Sequence, residues 1–80
     1  MKLPRDVSGT DLAHALSRVG YRVTRQTGSH IRLTNAVLEQ HHVTIPAHQS
    51  LRVGTLAAIL AEVASHLEIS RDELLNRLFA

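Results

Sequence analysis

The 80-residue sequence predicts an α+β domain of two layers, a three-stranded antiparallel sheet with helices packed on one face. Three observations predict it. Apolar residues recur at helical spacing towards both ends of the chain. The middle third alternates apolar and polar residues in three short segments bounded by turn-forming residues. No apolar run approaches the roughly 20 residues that a membrane-spanning helix needs.

The first helix starts at Ser8, which with Asp11 three residues on forms a capping box with Asp in place of the usual Glu. Leu12, Leu16 and Val19 then share one face. Gly20 lies just past the last periodic residue, where a left-handed C-terminal position favours glycine, so the helix is expected to stop there. Residues 21–26, 29–35 and 42–46 read as strands. A second amphipathic helix runs from about Gly54 through Leu56, Ile59, Leu60, Val63 and Leu67, long enough to cover the inner face of the sheet. Ser70 and Glu73 make a second capping box, followed by Leu74, Leu75, Leu78 and Phe79 on a short terminal helix.

Strand register follows from keeping apolar partners on one face. A two-residue turn at Thr27-Gly28 would set Val23 against Arg32. A three-residue loop of Gln26, Thr27 and Gly28 instead sets Val23 against Ile31 and Tyr21 against Leu33, and it requires a left-handed residue at Gly28. A five-residue loop, 36–40, then pairs Leu33 with Val43, Ile31 with Ile45 and His30 with Pro46. The outer face is expected to carry Arg22, Thr24, His30, Arg32, Thr34, His42 and Thr44, a basic surface open to solvent.

Composition narrows the classes of function. The chain is 44% hydrophobic and 20% charged, with a formal net charge of +2 and six histidines, the balance of one ordinary globular domain over residues 1–80. It has no cysteine, which removes disulfides, thiolate zinc sites and cysteine nucleophiles and suits a reducing cytoplasm. The N-terminus lacks the apolar stretch of a signal peptide, so a cytoplasmic location is expected. One Tyr, one Phe and no Trp leave no row of aromatic platforms on which a single-strand binder could stack bases.

Several blocks, in order, carry a family likeness. They are Arg5-Asp6-Val7-Ser8-Gly9 before the first helix, Gly20-Tyr21 ending it, Arg25-Gln26-Thr27-Gly28-Ser29-His30 across the hairpin, Thr44-Ile45-Pro46-Ala47-His48, and Gly54-Thr55-Leu56 opening the long helix. In these blocks the chain resembles the HicA-like toxins of prokaryotic toxin–antitoxin systems over nearly its whole length. The resemblance implies a double-stranded-RNA-binding-like fold, cleavage of messenger RNA that arrests growth, and neutralisation by a HicB-like antitoxin. It also implies that His30 is the catalytic histidine.

The residues themselves can support such chemistry. Metal-free RNA cleavage needs a base for the 2′-hydroxyl proton, an acid for the leaving oxygen and positive charge near the phosphate. His30 can transfer protons near neutral pH. Arg25 and Arg32 flank it in sequence and can clamp a phosphate, with Gly28 and Ser29 between them where RNA would approach and Arg52 near the start of the long helix. His42, opposite Thr34, stands about 13 Å from His30 at strand rise, too far to share one phosphate. His48, just past Pro46, is the better second acid or base, or else simply a turn residue.

Asp11 and Glu73 are caps and the other carboxylates scatter, so no metal cofactor is expected. Adjacent His41 and His42 point to opposite faces of a strand and make a poor zinc site. His14, His41 and His66 are expected at the surface. Three functions fit such a chain: an endoribonuclease toxin, a non-catalytic double-stranded-RNA binder and a protein-interaction module. A duplex binder would carry a lysine cluster at the start of its last long helix, where this chain has only Arg52. An interaction module would leave the outward His and Arg residues without a role.

Overall fold

A computed structural model describes residues 3–37 and 39–79. Helix α1 (Gly9–Leu16) continues into a 3₁₀ turn (Ser17–Val19) and stops at Gly20, whose φ of 96° is left-handed. Strands β1 (Arg22–Gln26), β2 (His30–Asn35) and β3 (His41–Pro46) form one antiparallel sheet in the order β1-β2-β3. Helix α2 (Val53–Leu67) ends in left-handed Glu68, and the chain bends 103° into α3 (Arg71–Phe79). No single helix is long and apolar enough to cross a membrane.

Local chemistry sets the helix starts. The Ser8 hydroxyl accepts the Asp11 N–H at 2.9 Å while the Asp11 carboxylate accepts the Ser8 N–H at 3.3 Å, a reciprocal cap. At α3 only half of the expected box forms among the described residues: Ser70 Oγ accepts the Glu73 N–H at 3.1 Å, while the Glu73 carboxylate pairs with Arg77 at 3.1 Å instead. The core gathers Tyr21 with Leu12 and Leu16 of α1, Leu33 and Ile45 of the sheet, Leu56, Leu60 and Val63 of α2, and Leu74, Leu75 and Leu78 of α3. Each large apolar side chain buried there contributes about 1.5–3 kcal/mol. The helices therefore cover one face of the sheet and leave the other open, the two-layer α+β arrangement expected.

The β2–β3 register is the expected one: His30 opposite Pro46, Ile31 opposite Ile45, Leu33 opposite Val43 and Thr34 opposite His42. The β1–β2 register is not. Val23 lies opposite Leu33, not Ile31, and Tyr21 precedes the strand, which begins at Arg22. The pairing shifts between Val23 and Arg25, so that Arg25 faces Arg32 and Gln26 faces Ile31. The turn closes with the Thr27 N–H donating to the His30 carbonyl at 3.0 Å, and Gly28 is not left-handed. One extra residue is needed in either register. Here a bulge at Thr24 absorbs it within the strand, which relieves Gly28 of that conformation. The bulge also keeps Arg25 off the face beneath the helices, where strict alternation would have placed it.

Candidate functional site

Strict alternation in β2 creates the site. Ile31 and Leu33 are buried, so His30, Arg32 and Thr34 project from the open face. Their cross-strand partners share that face: Pro46 beside His30, Arg25 and Thr44 beside Arg32, Arg22 and His42 beside Thr34. No residue of the three strands is acidic.

His30 is the first residue of β2 and is exposed. Its Nδ1 lies 2.9 Å from Ser29 Oγ, and its Nε2 has no protein partner among the described residues. One hydroxyl thus fixes the ring through one nitrogen and leaves the other to solvent. Arg25 and Arg32, one pair of residues further along the strands, are exposed and face one another with no carboxylate in ion-pair reach among the described residues. Like charges set directly opposite are unfavourable in a sheet unless an anion joins them.

His48 reaches the same end of the sheet through the backbone. The Ala47 N–H donates to the Ser29 carbonyl at 2.9 Å, extending the β2–β3 ladder past Pro46. The Gly9 N–H donates to the His48 carbonyl at 2.9 Å, and the Leu51 N–H donates to Val7 at 2.8 Å. These bonds pin the 47–51 segment to the start of α1. A side chain at Gly9 would collide with the Pro46 carbonyl, so this close approach requires glycine. The imidazole of His48 is exposed and has no side-chain partner among the described residues. Arg52 is the N-cap residue of α2, in extended conformation, and belongs to the helix layer and not to the open face. Gly28 and Ser29 form the hairpin tip beside His30.

Two hydrogen-bonded networks form at the opposite end of the sheet; Thr24, Thr34 and His42 were expected on the open face, but the bonds among them were not. On the open face, Thr24 Oγ1 lies 2.9 Å from Thr34 Oγ1, which lies 2.8 Å from His42 Nδ1. Among the helices, Tyr21 Oη lies 2.7 Å from His41 Nδ1, and His41 Nε2 lies 3.3 Å from Glu62 Oε1. His66 stacks on His41 with ring centroids 4.4 Å apart, and its Nε2 donates to the Val37 carbonyl at 3.1 Å. His41 and His66 are therefore partly buried, not surface residues as expected, because β3 turns His41 towards α2. Burial, reinforced by the charge of Glu62 and partly offset by the nearby Asn35 amide, pushes the Tyr21 hydroxyl up to about 12. The alternation of His41 and His42 signalled that their side chains part, but nothing local signalled partners 20 or more residues away.

No group of three His, Asp or Glu side chains among the described residues is placed to hold a metal ion. No curated protein and no solved structure matches the chain. A family model does match, that of the HicA toxin of bacterial toxin–antitoxin systems, over residues 9–64. The match runs from the first residue of α1 through the whole sheet and most of α2, and so takes in the open face and His30. With well over half its length matched, the chain belongs to the HicA toxin family, whose members are generally ribonucleases.

Proposed function

We propose that this toxin is an endoribonuclease that cleaves messenger RNA without a metal ion, uses His30 for proton transfer and is held in check by a HicB-like antitoxin. The observation that carries it is the setting of His30, whose Nδ1 is engaged by Ser29 while Nε2 has no partner among the described residues, on strands that carry no acidic residue. In the reaction the 2′-hydroxyl attacks the adjacent phosphorus and loses its proton to a base. The P–O5′ bond breaks, and the departing oxygen takes a proton from an acid. His30 serves one of these roles, and His48, tethered to the same end of the sheet, serves the other.

Arg25 and Arg32 supply positive charge to the phosphate as it develops further negative charge. Two residues of strand, about 7 Å, separate Arg32 from His30, within reach of a guanidinium on its flexible stem. Gly28 and Ser29 let RNA approach the hairpin tip, and Arg52 adds charge from the start of α2.

The purified protein is expected to cleave RNA in the presence of a chelator, leaving 2′,3′-cyclic phosphate and 5′-hydroxyl ends. End analysis of the fragments checks this. Cleavage abolished by EDTA and restored by magnesium would rule the mechanism out, and tight binding of duplex RNA with no cleavage would favour a non-catalytic binder.

A further inference from the structure

Three rows of side chains cross the open face at right angles to the strands. His30 and Pro46 form the first, Arg25, Arg32 and Thr44 the second, and Arg22, Thr34 and His42 the third. Successive rows are two strand residues apart, about 7 Å, close to the separation of successive phosphates in an extended nucleic-acid strand. The proposed chemistry occupies the first two rows and leaves the third without a task.

The third row is ordered and cationic. Thr24 Oγ1 lies 2.9 Å from Thr34 Oγ1, which lies 2.8 Å from His42 Nδ1, and the Thr24 hydroxyl is also 3.4 Å from the Arg32 carbonyl. These contacts hold the ring of His42 through Nδ1, and Nε2 has no protein partner among the described residues. Arg22 is exposed, with no acidic partner among the described residues. Beside this row the surface dips into a depression of about 460 Å³, lined by Gly20, Arg22, Thr24, Thr34, Ala36 and Val37. Its wall is mostly apolar, and Val37 is 53% exposed there. A cationic rim beside an apolar hollow matches the two parts of a nucleotide, a phosphate and the face of a base.

We propose that Arg22, Thr24, Thr34 and His42 form a nucleotide subsite that grips the substrate strand two phosphates away from the bond at His30. Arg22 and His42 hold the phosphate, and the hollow against Ala36 and Val37 takes the base. The inference rests on the ribonuclease reading for its ligand, an RNA single strand running along β2. It explains why an ordered histidine lies about 13 Å from His30 on the same face, too far to share its phosphate.

The test uses full-length protein and single-stranded RNAs lengthened one nucleotide at a time from a dinucleotide, first on one side of the scissile bond and then on the other. Cleavage is followed with the RNAs themselves, and binding by fluorescence anisotropy with 2′-O-methyl strands that cannot react. Affinity is expected to step up about tenfold when the third row's phosphate is gained on one side only, the value of one charge-assisted contact. Arg22→Gln and His42→Gln should each erase the step without changing kcat on a dinucleotide, and Arg22→Lys should restore part of it. Both side chains are exposed, and thermal unfolding of each variant shows that its fold is intact. No step, or variants that weaken short and long strands alike, would overturn the subsite. A step in binding with no cleavage of any strand would uphold the subsite and remove the ribonuclease reading instead.

Discussion

At one end of the sheet His30 touches a single hydroxyl, while at the other end His41 touches Tyr21, Glu62 and the ring of His66. The two histidines differ because they occupy opposite faces of the strands. His30 alternates with buried Ile31 and faces solvent, whereas His41 precedes exposed His42 and turns towards α2. Both ring nitrogens of His41 are engaged, Nδ1 with the Tyr21 hydroxyl and Nε2 with the Glu62 carboxylate. Asn35 completes that end, fully buried, donating to the Val19 carbonyl and accepting the Val37 N–H at 2.9 and 2.8 Å. One end is fastened by polar groups with assigned partners, and the other keeps polar groups without them. A half-buried histidine with both nitrogens engaged contributes to stability, and an exposed one with a nitrogen open to solvent contributes to reactivity.

The largest effect should come from exchanging the two histidines for alanine in turn. His30→Ala is expected to lower RNA cleavage by about 10²–10⁴-fold, the usual contribution of a general acid or base, with an unchanged melting temperature. His41→Ala should do the reverse. It leaves the buried Tyr21 hydroxyl without its imidazole partner and costs about 1–3 kcal/mol, while cleavage by the folded protein stays near normal. Cleavage assays and denaturant titrations on both variants decide the matter. Full activity in His30→Ala, or equal loss of stability in both, would erase the contrast between the ends.

The fastened end also has an alkaline signature. The Tyr21 hydroxyl, ordinarily near 10, is raised to about 12 in the folded chain, first by burial and then by the charge of Glu62. A raised pKa means that the folded state holds this proton more tightly than the unfolded state does. Its contribution is therefore complete below pH 10 and is lost as pH rises from 10 towards 12, by on the order of 2 kcal/mol across the window. Urea titrations over this range should show stability falling more steeply in the wild type than in Tyr21→Phe, which has no proton to lose. Parallel pH profiles would mean that the hydroxyl is solvated and the cluster loose.

The two ends were unequally legible in the sequence. The β2–β3 pairing and the helix caps could be read because each depends on neighbours a few residues apart or on strict alternation: Ile31 and Leu33 admit one partner face, and Ser8 with Asp11 is a local signal. The resemblance, together with that alternation, led to His30. In β1 alternation misled, because Arg25 keeps step with Tyr21 and Val23 in sequence and yet leaves their face through the bulge at Thr24. Val23, 51% exposed, shows how little of this edge strand is buried, so few contacts held its register to the expected one. The Tyr21–His41–Glu62–His66 cluster was invisible for another reason. It joins the start of the sheet to one face of α2, and pattern within a segment carries no information on which helix turn meets which strand.

The smallest effects separate two glycines, one at each end. Gly20 sits at the fastened end with φ at +96°, and an added Cβ would lie 3.1 Å from Asn35 Oδ1 and 3.2 Å from Val37 Cγ2. Gly20→Ala combines left-handed strain with pressure on a buried amide whose hydrogen bonds it would disturb, and about 1–2 kcal/mol of destabilisation is expected. Gly28 sits at the open end, outside the left-handed region, with nothing within 4 Å of an added Cβ. The loop expected from sequence demanded a left-handed residue at Gly28, for which a side chain would be costly. The bulged strand removes that demand, so Gly28→Ala should alter stability by no more than about 0.5 kcal/mol. In a domain of this size 1 kcal/mol moves the melting temperature by about 4–8 °C, so calorimetry resolves the first change and should barely register the second. A Gly28→Ala loss as large as that of Gly20→Ala would place the extra residue of the hairpin at its tip and return Arg25 to the face beneath the helices. The arginine pair opposite the proposed phosphate would then no longer exist.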